Sequence, residues 1–343
     1  MSARGAVAGI LAGALGCAGS ALLSADLPDA PIAIHWRDAV AARKHAEWLE
    51  SQQPGGDLPR GRQGVPNVDD IAHYLGMLTG VGQGHSSEEQ AAGRLALLDP
   101  RSGAVTPVEA ALRDAIPVVW SEPGRRLVFS QFEGDTRQLY ELDVARGEVR
   151  RLTRGPNAHS RGCLLPDGSL VASSAGPVQA PDGAFALVSR IVRTRPGGAA
   201  PEPLSDGPAD HSPACAPDGG AVVWVSRGPK GREALVSRMP LEAEPRPIGP
   251  GRDPSFSHDG QWVIYAAPAQ RSWRILRVRP DGTGRAPVGE SVLEEHQPAF
   301  SPDGRLALVV VHAGAARWLH VRRLDGSGDR ILFDDGDAEF PVW

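Results

Sequence analysis

Short runs of apolar residues alternate with clusters of Pro, Asp and Gly along most of the chain. In "PAFSPDGRLALVVV", which begins at Pro298, an apolar segment leads into a Pro-Asp-Gly turn and then into a second apolar run. Val, Leu, Ile and Trp dominate these runs, and glycine permits the turns because it adopts positive φ without steric cost. The pattern predicts β-strands joined by tight turns. The aspartates of these turns are predicted to cap them by side-chain hydrogen bonds: Asp167, Asp218, Asp259 and Asp303.

The strand pattern recurs at a nearly constant spacing. Five related phrases are "DAIPVVWSEPGRRLVFS", "GCLLPDGSLVASS", "HSPACAPDGGAVVWVS", "RDPSFSHDGQWVIYAA" and "HQPAFSPDGRLALVVV". Equivalent positions in them lie 44, 51, 41 and 44 residues apart: Ser121, Leu165, Ala216, Ser257 and Ser301. Self-similarity at about 40 to 45 residues, with four strands in each unit, is typical of propeller blades.

The two ends of the chain carry incomplete copies of this repeat. Residues 337–343, "DAEFPVW", match only its opening, whereas residues 93–108 match the third and fourth strands of a blade. "DIAHYLGMLTG", from Asp70, is interpreted as the second strand. We therefore predict an all-β, six-bladed β-propeller, with five blades as the alternative, in which both termini close the ring. Closure removes the unpaired edges that an open array would expose.

A short strand-helix segment is predicted ahead of the ring. Residues 32–36 indicate a strand, and the residues after Asp38 indicate a helix whose first turn Asp38 caps. The stretch "PGGDLPRGRQGVP" then indicates a linker. This interpretation divides the chain into a signal peptide at 1–17, a tether, short helix and linker at 18–66, and the propeller at 67–343.

The first residues have the composition of an export signal. Arg4 precedes an apolar run, residues 6–15, that is too short to span a bilayer core of about 30 Å. "Ala-Leu-Gly-Cys", ending at Cys17, resembles a bacterial lipobox, which implies lipidation of Cys17 and a location on the periplasmic face of the outer membrane. The alternative is cleavage after Ala18 or Ala21, which would give a soluble periplasmic protein.

The remaining two cysteines, Cys163 and Cys215, occupy similar positions in successive repeats. Export permits a disulfide between them. Free cysteine, however, also packs well as a small buried apolar residue. We predict two buried thiols rather than a bridge.

The net charge of the chain argues against nucleic acid as a partner. The chain has a formal net charge of −5 and an isoelectric point near 6.1, so it lacks the basic surface expected of a nucleic-acid-binding protein. Nucleic acid is therefore not an expected partner.

The repeats, written Pro-x-Phe/Trp-Ser-Pro-Asp-Gly before an apolar run, resemble those of the TolB-type, WD-like propeller family over roughly residues 71–343. "HQPAFSPDGRLALVVV" and "RDPSFSHDGQWVIYAA" are the clearest copies. The resemblance implies a protein-interaction scaffold in the bacterial cell envelope, within a Tol/Pal-like, motility or secretion assembly, with envelope proteins as partners. The chain departs from the family in its short N-terminal region, which leaves little room for the family's α/β N-terminal domain.

Polar residues recur where the predicted innermost strands begin: Asp114, His159, His211, Asp253, His296 and Asp337. In a propeller these positions converge on one mouth of the axial channel, so they are candidate binding residues. Imidazoles and carboxylates there have the chemistry to hold a divalent metal or a polar ligand. Alternatively, each side chain satisfies backbone groups at its strand end.

Motifs for catalysis are missing from the sequence. It contains no Gly-x-Ser-x-Gly elbow, no His-Glu-x-x-His pair and no phosphate-binding glycine loop. We therefore predict a non-enzymatic protein with no catalytic residues, no bound metal and no other cofactor. The alternative is a lactonase- or lyase-like enzyme, or a metal or small-ligand binder, that uses the six mouth residues; a third hypothesis, a carbohydrate binder, requires exposed tryptophans at the mouth.

Overall fold

The computed structural model of the protein describes Leu22, residues 24–52 and residues 93–343, except for residues 112–113, 135, 180–182, 184, 198–199, 229–230, 271, 290 and 315. For residues 48–52 the description is limited to the backbone. The predicted lipidation site Cys17 and the segment that begins at Asp70 lie outside the described residues.

Twenty-four strands in the described part of the chain form six four-stranded antiparallel sheets. Blade one runs outward from the axis as β4 (Ile116–Glu122), β5 (Arg126–Glu133), β6 (Thr136–Asp143) and β7 (Glu148–Arg151). Blade two contains β8 (Gly162–Leu164), β9 (Leu170–Gln179), β10 (Phe185–Thr194) and β11 (Glu202–Pro203). Blade three contains β12 (Asp210–Cys215), β13 (Val222–Arg227), β14 (Glu233–Arg238) and β15 (Arg246–Pro250).

The other three blades complete the ring. Blade four contains β16 (Arg252–Phe256), β17 (Val263–Ala269), β18 (Ser272–Val278) and β19 (Ala286–Pro287). Blade five contains β20 (Glu294–Phe300), β21 (Leu306–Ala313), β22 (Ala316–Arg323) and β23 (Arg330–Phe333). In blade six the order from the axis is β24 (Asp337–Val342), β1 (Ile32–Arg37), β2 (Arg94–Leu98) and β3 (Val105–Pro107). The predicted six-bladed, all-β architecture is confirmed.

Both ends of the chain close blade six, as predicted, but its second strand is not the predicted one. β1 lies between β24 and β2 and pairs antiparallel with both. The segment from Asp70 therefore cannot be the second strand, and the propeller does not begin at residue 67. Residues 32–36 are predicted to lie ahead of the ring because a long insertion separates the second and third strands of this blade, and the repeat pattern does not indicate such an insertion.

The turns that contain Asp167, Asp218, Asp259 and Asp303 join the first and second strands of their blades. In each, the aspartate Oδ1 accepts a hydrogen bond from the backbone N–H two residues later, for example 2.8 Å from Ser169 to Asp167 and 3.1 Å from Arg305 to Asp303. The following glycine has positive φ, 78° at Gly168 and 69° at Gly304, as these turns require. The predicted capping role is confirmed. We call the side of the ring that carries these turns the turn face, and the opposite side the strand-start face.

The hydrophobic core is distributed over six seams between neighbouring blades. Aliphatic and aromatic side chains of adjacent sheets fill each seam, and Leu22 and Leu27 join the seam between blades five and six. Packing of this kind fixes each blade against two neighbours, so the ring is held together without a single central core.

A disulfide joins blades two and three. Cys163 of β8 and Cys215 of β12 are bridged, with their Cα atoms 5.7 Å apart. The prediction of two free thiols is wrong. Innermost strands approach one another near the axis of a propeller, and there equivalent positions of neighbouring blades come within the roughly 7 Å that a bridge requires.

One α-helix, α1 (Ala39–Gln52), follows β1. The Asp38 carboxylate accepts hydrogen bonds from the backbone N–H groups of Val40 and Ala41, at 2.9 and 2.8 Å, which confirms the predicted cap. Among the described helices, none has the length and apolar character needed to cross a membrane.

Candidate functional site

The innermost strands of blades three to six share an irregularity next to the axis. A residue with positive φ is followed by proline, and the pairing register with the second strand shifts there. The four residues are Ser212, Asp253, Gln297 and Phe340, with φ of 51°, 55°, 48° and 52°. Positive φ is uncommon outside glycine, and bulges of this kind redirect side chains. All four residues line the axial cavity.

These four residues and Arg161 of blade two line the cavity next to the axis, and we call them the axial ring: Arg161, Ser212, Asp253, Gln297 and Phe340. The backbone N–H of Gln297 donates to Asp253 Oδ2 at 3.3 Å, and the N–H of Phe340 donates to Gln297 Oε1 at 2.6 Å. Arg161 of blade two lies with its guanidinium 4.1 Å from the centre of the Phe340 ring and donates to the Pro117 carbonyl at 3.3 Å. These contacts connect the innermost strands of blades four, five and six, and Arg161 connects blade two to blades one and six.

The axial cavity extends from this ring towards the turn face and has a volume of about 500 Å³. Its walls are largely apolar and aromatic: Val118, Trp120, Phe256, Phe300, Phe340 and Trp343. The disulfide between Cys163 and Cys215 forms part of the same wall. A concave, mostly apolar cavity with a few polar groups at its base has the character of a binding site.

Two ionisable groups at the base of the cavity, Asp253 and Arg161, have pKa values that differ from those of exposed side chains. Burial raises the pKa of Asp253 above its usual range, although the charges of Arg252 and Arg161 oppose the shift. Burial lowers the pKa of Arg161 to about 10, so its guanidinium stays charged at neutral pH. The base of the cavity therefore presents a desolvated cation beside a carboxyl group whose ionised form is disfavoured by burial.

The six mouth residues predicted from the sequence have different environments. His159 Nδ1 lies 3.1 Å from the Ser173 carbonyl, and Asp337 accepts a hydrogen bond from the Arg317 backbone N–H at 3.0 Å. His211 Nδ1 lies 3.0 Å from Ser212 Oγ. Asp114 pairs with Arg137, and His296 contacts Arg252 and Glu294. Of the six, only Asp253 lines the axial cavity.

A buried ion network joins blade six to blade one. Nε2 of His35, which is 1% exposed, lies 3.2 Å from Asp114 Oδ1, and Arg37 pairs with Glu339 at 2.6 Å. Burial alone would raise the pKa of Glu339, but His35 and Arg37 outweigh it and hold the pKa well below its usual range. A Cβ atom at Gly93 would lie 2.2 Å from His35 Nε2, so glycine is needed there. The network fastens the N-terminal strand to the C-terminal one.

Glu294, His296 and His312 form the one cluster of possible metal ligands among the described residues, with ligand atoms all within 4.8 Å of one another. Metal-bound histidines normally donate their second ring N–H to an acceptor. Here the second nitrogen of His296, Nδ1, faces Arg252 Nη2 at 3.0 Å, and the guanidinium can only donate. Nε2 therefore carries the proton and points at Glu294, 3.0 Å away. The cluster fits a hydrogen-bond network rather than a cation site.

These two histidines predict a pH dependence of stability. Burial, reinforced by nearby arginines, lowers the pKa of His296 to about 3 and that of His312 to about 4. The unfolded chain takes up protons near pH 6.5 and the folded protein does not, so stability is lost as the pH falls from about 6.5 towards 4. We expect the melting temperature of the double variant His296→Gln/His312→Gln to fall less steeply from pH 7 to pH 5 than that of the wild type. Thermal unfolding followed by circular dichroism measures the melting temperature of each protein. If the melting temperatures of the variant and the wild type fell in parallel with pH, the two histidines would not be the source of the pH dependence.

Four residues of the axial ring are not among the candidates predicted from the sequence: Arg161, Ser212, Gln297 and Phe340. A signal was present, because three of them precede a proline in an innermost strand, as does Asp253: "HSP", "RDP", "HQP" and "EFP". The predicted candidates His211, His296 and Asp337 lie one to three residues before these positions, whereas the bulge directs the residue before the proline to the axis. Arg161 lacks this signal, because glycine follows it.

No family model matches the chain. A 53-residue stretch is 38% identical to the Tol-Pal system protein TolB of Francisella tularensis, and it covers 16% of this chain and 12% of that protein. The matched stretch is thus a small part of the curated relative.

Solved structures resemble the fold over most of its length. TolB from Acinetobacter baumannii superposes with a TM-score of 0.63 at 14% identity, covering 92% of this chain and 67% of that one. Hydrazine synthase of Kuenenia stuttgartiensis superposes with a TM-score of 0.61 at 13% identity, covering 93% of this chain and 47% of that one. The chain has the fold of a TolB-like β-propeller. The same fold also occurs in an enzyme, so function has to be argued from the cavity.

Proposed function

We propose that this TolB-like β-propeller is a non-enzymatic interaction scaffold of the bacterial cell envelope, anchored by a lipid on Cys17, and that it receives a segment of a partner protein in its axial cavity. The observation that carries the proposal is the cavity of about 500 Å³, with aromatic walls and the axial ring at its base. Envelope proteins are the proposed partners; nucleic acid is not.

The shape and chemistry of the cavity suit an extended peptide segment. Apolar walls bury side chains of the incoming segment, and Arg161, Ser212 and Gln297 offer donors and acceptors to its backbone or to a polar side chain. Arg161 also provides a desolvated cation, the type of group that dominates binding energy at the centre of an interface.

The polar groups of the cavity favour binding over catalysis. Nucleophilic catalysis requires a nucleophile within hydrogen-bond reach of a base. His258 lies exposed at the rim of the cavity, and no hydrogen bond within the described residues joins it to a serine or carboxylate. Ser121, also in the wall, does bond to a carboxylate, Glu141 at 2.8 Å. Burial alone would raise the pKa of Glu141, but the hydrogen bonds from Arg150, at 2.8 Å, and from Ser121 lower it, so this carboxylate is a weak base.

Two observations support a location in the cell envelope. Disulfides persist in oxidising compartments, and the Cys163–Cys215 bridge is built into the ring. The curated relative is named as a protein of the Tol-Pal system. We place the protein on the periplasmic face of the outer membrane as a lipoprotein; without lipidation it would be a soluble periplasmic protein.

Filling the cavity is expected to abolish partner binding. Ser255 lies in the cavity wall, so Ser255→Trp inserts an indole there without removing a charge. Ser102→Trp, on an exposed turn of the same face, is the matched control. We expect affinity purification from gently solubilised envelopes to recover specific partners about tenfold less with Ser255→Trp, equivalent to ~1.4 kcal/mol, and equally with the control. Equal recovery of partners with both variants would show that the cavity is not the docking site.

A further inference from the structure

The N-terminal segment of the described chain is fixed across the turn face. Leu22 is 6% exposed and packs in the seam between blades five and six. Ser24 Oγ accepts a hydrogen bond from Arg330 Nη1 at 3.1 Å, and the Leu27 carbonyl accepts one from Arg101 Nε at 3.2 Å. Arg101 belongs to the connection between the third and fourth strands of blade six, and Arg330 begins the fourth strand of blade five directly after the equivalent connection. Both residues therefore lie on the turn face. Leu22 therefore cannot move away from this side of the ring without losing buried contacts.

The same segment ends beside the cavity. The Ala30 carbonyl accepts a hydrogen bond from Trp343 Nε1 at 3.0 Å, and Trp343 is part of the cavity wall. Residues 24–31 thus run along the face on which the cavity opens, from the outer strand of blade five to the axis. The chain therefore leaves the folded ring on the same side of the molecule as the mouth of the cavity.

The chain between Cys17 and Leu22 is too short to reach the other side. Five residue steps span at most about 18 Å when fully extended. A strand of seven or eight residues, the length of β20 and β21, measures roughly 23 to 27 Å along its own axis, and the turns at its two ends add to the thickness of the ring. A lipid on Cys17 therefore cannot place the strand-start face on the membrane while Leu22 stays packed.

The geometry points to an orientation that deepens the proposed function and rests on its lipid anchor: the turn face lies towards the bilayer, and the axial cavity opens onto the membrane surface. The partner segment that enters the cavity is then the membrane-proximal part of a protein held in the same membrane. The strand-start face, with the long β9–β10 hairpin, points away from the lipid.

Spin labels on the two faces test this orientation in the full, lipidated protein reconstituted in vesicles that contain a nickel-chelating lipid. Ser102→Cys places a label on the turn face, and Phe185→Cys places one at the end of the β9–β10 hairpin, where Phe185 is 71% exposed. The native cysteines do not compete, because Cys163 and Cys215 are bridged and Cys17 carries the lipid. We expect severalfold stronger relaxation by the lipid-bound nickel at position 102 than at position 185.

A variant with a longer N-terminal tether, together with mass spectrometry of the mature protein, distinguishes failure of the proposed orientation from failure of the proposed lipid anchor. A Gly/Ser insertion of about thirty residues after Ala18, which spans roughly 30 Å on average, is expected to remove the difference between the two labels. A lipidated protein whose labels relax equally without the insertion, or more strongly at position 185, overturns the orientation alone. An unmodified Cys17 in the mass spectrum of the mature protein overturns both the anchor and the orientation.

Discussion

Removing the disulfide with the double substitution Cys163→Ser/Cys215→Ser is expected to lower the free energy of unfolding by about 4 kcal/mol. The two cysteines are 52 residues apart, and a cross-link across a loop of that length restricts the unfolded chain by this amount in the loop-entropy model. Both cysteines also line the axial cavity, so the bridge holds the walls contributed by blades two and three together. Urea unfolding followed by tryptophan fluorescence measures the change.

The third cysteine provides the control for this experiment. Cys17 lies outside the described ring, so Cys17→Ser in the purified protein is expected to leave the free energy of unfolding unchanged. Treating the wild type with dithiothreitol should reproduce the effect of the double substitution. A loss below about 1 kcal/mol, or an equal loss with Cys17→Ser, would contradict the role assigned to the bridge.

Replacing Glu295 by alanine is expected to destabilise the ring by about 3 kcal/mol, the lower end of the range for breaking a buried ion pair. The change leaves the buried Arg322 guanidinium with a single carboxylate partner, Asp329 at 3.2 Å. Glu295 and Arg322 are 1% and 2% exposed and pair at 2.6 Å. Glu295 also accepts a hydrogen bond from the Ile275 backbone N–H at 3.2 Å, which connects blade five to blade four. Differential scanning calorimetry of the variant gives the loss directly.

An exposed ion pair serves as the comparison. Glu122 pairs with Arg125 at 2.9 Å, but both side chains are about half exposed, so Glu122→Ala is expected to cost no more than about 1 kcal/mol. If Glu295→Ala destabilised the protein no more than Glu122→Ala does, the buried pair would not contribute to holding the two blades together.

Most of the fold could be predicted because the repeat is local. Each of blades one to five is encoded in about 44 consecutive residues, and its turns follow from the conformational freedom of glycine at positions such as Gly168 and Gly304. The second strand of blade six could not be predicted in this way. Its partner β24 is about 300 residues away, and β1 carries no Pro-Asp-Gly turn to mark it as part of a blade.

The site was predicted less well than the fold, since its geometry depends on a backbone irregularity. Alternation along a regular strand assigns side chains to faces, but a bulge at Asp253 or Gln297 changes that assignment. The prediction of free thiols failed for a related reason. Sequence spacing placed Cys163 and Cys215 on neighbouring blades, but only the approach of innermost strands near the axis brings their Cα atoms to 5.7 Å.

The pairing of β1 with β24 also orders the assembly of the ring in time. Residues Arg37 and Asp337 must meet across nearly the whole chain, and contacts of such large sequence separation form slowly because a long loop has to close first. Blades one to five, each local in sequence, are free to form before blade six receives its innermost strand. Until then β1 keeps an unpaired edge, and during refolding at high concentration that edge is open to the equivalent strand of another molecule.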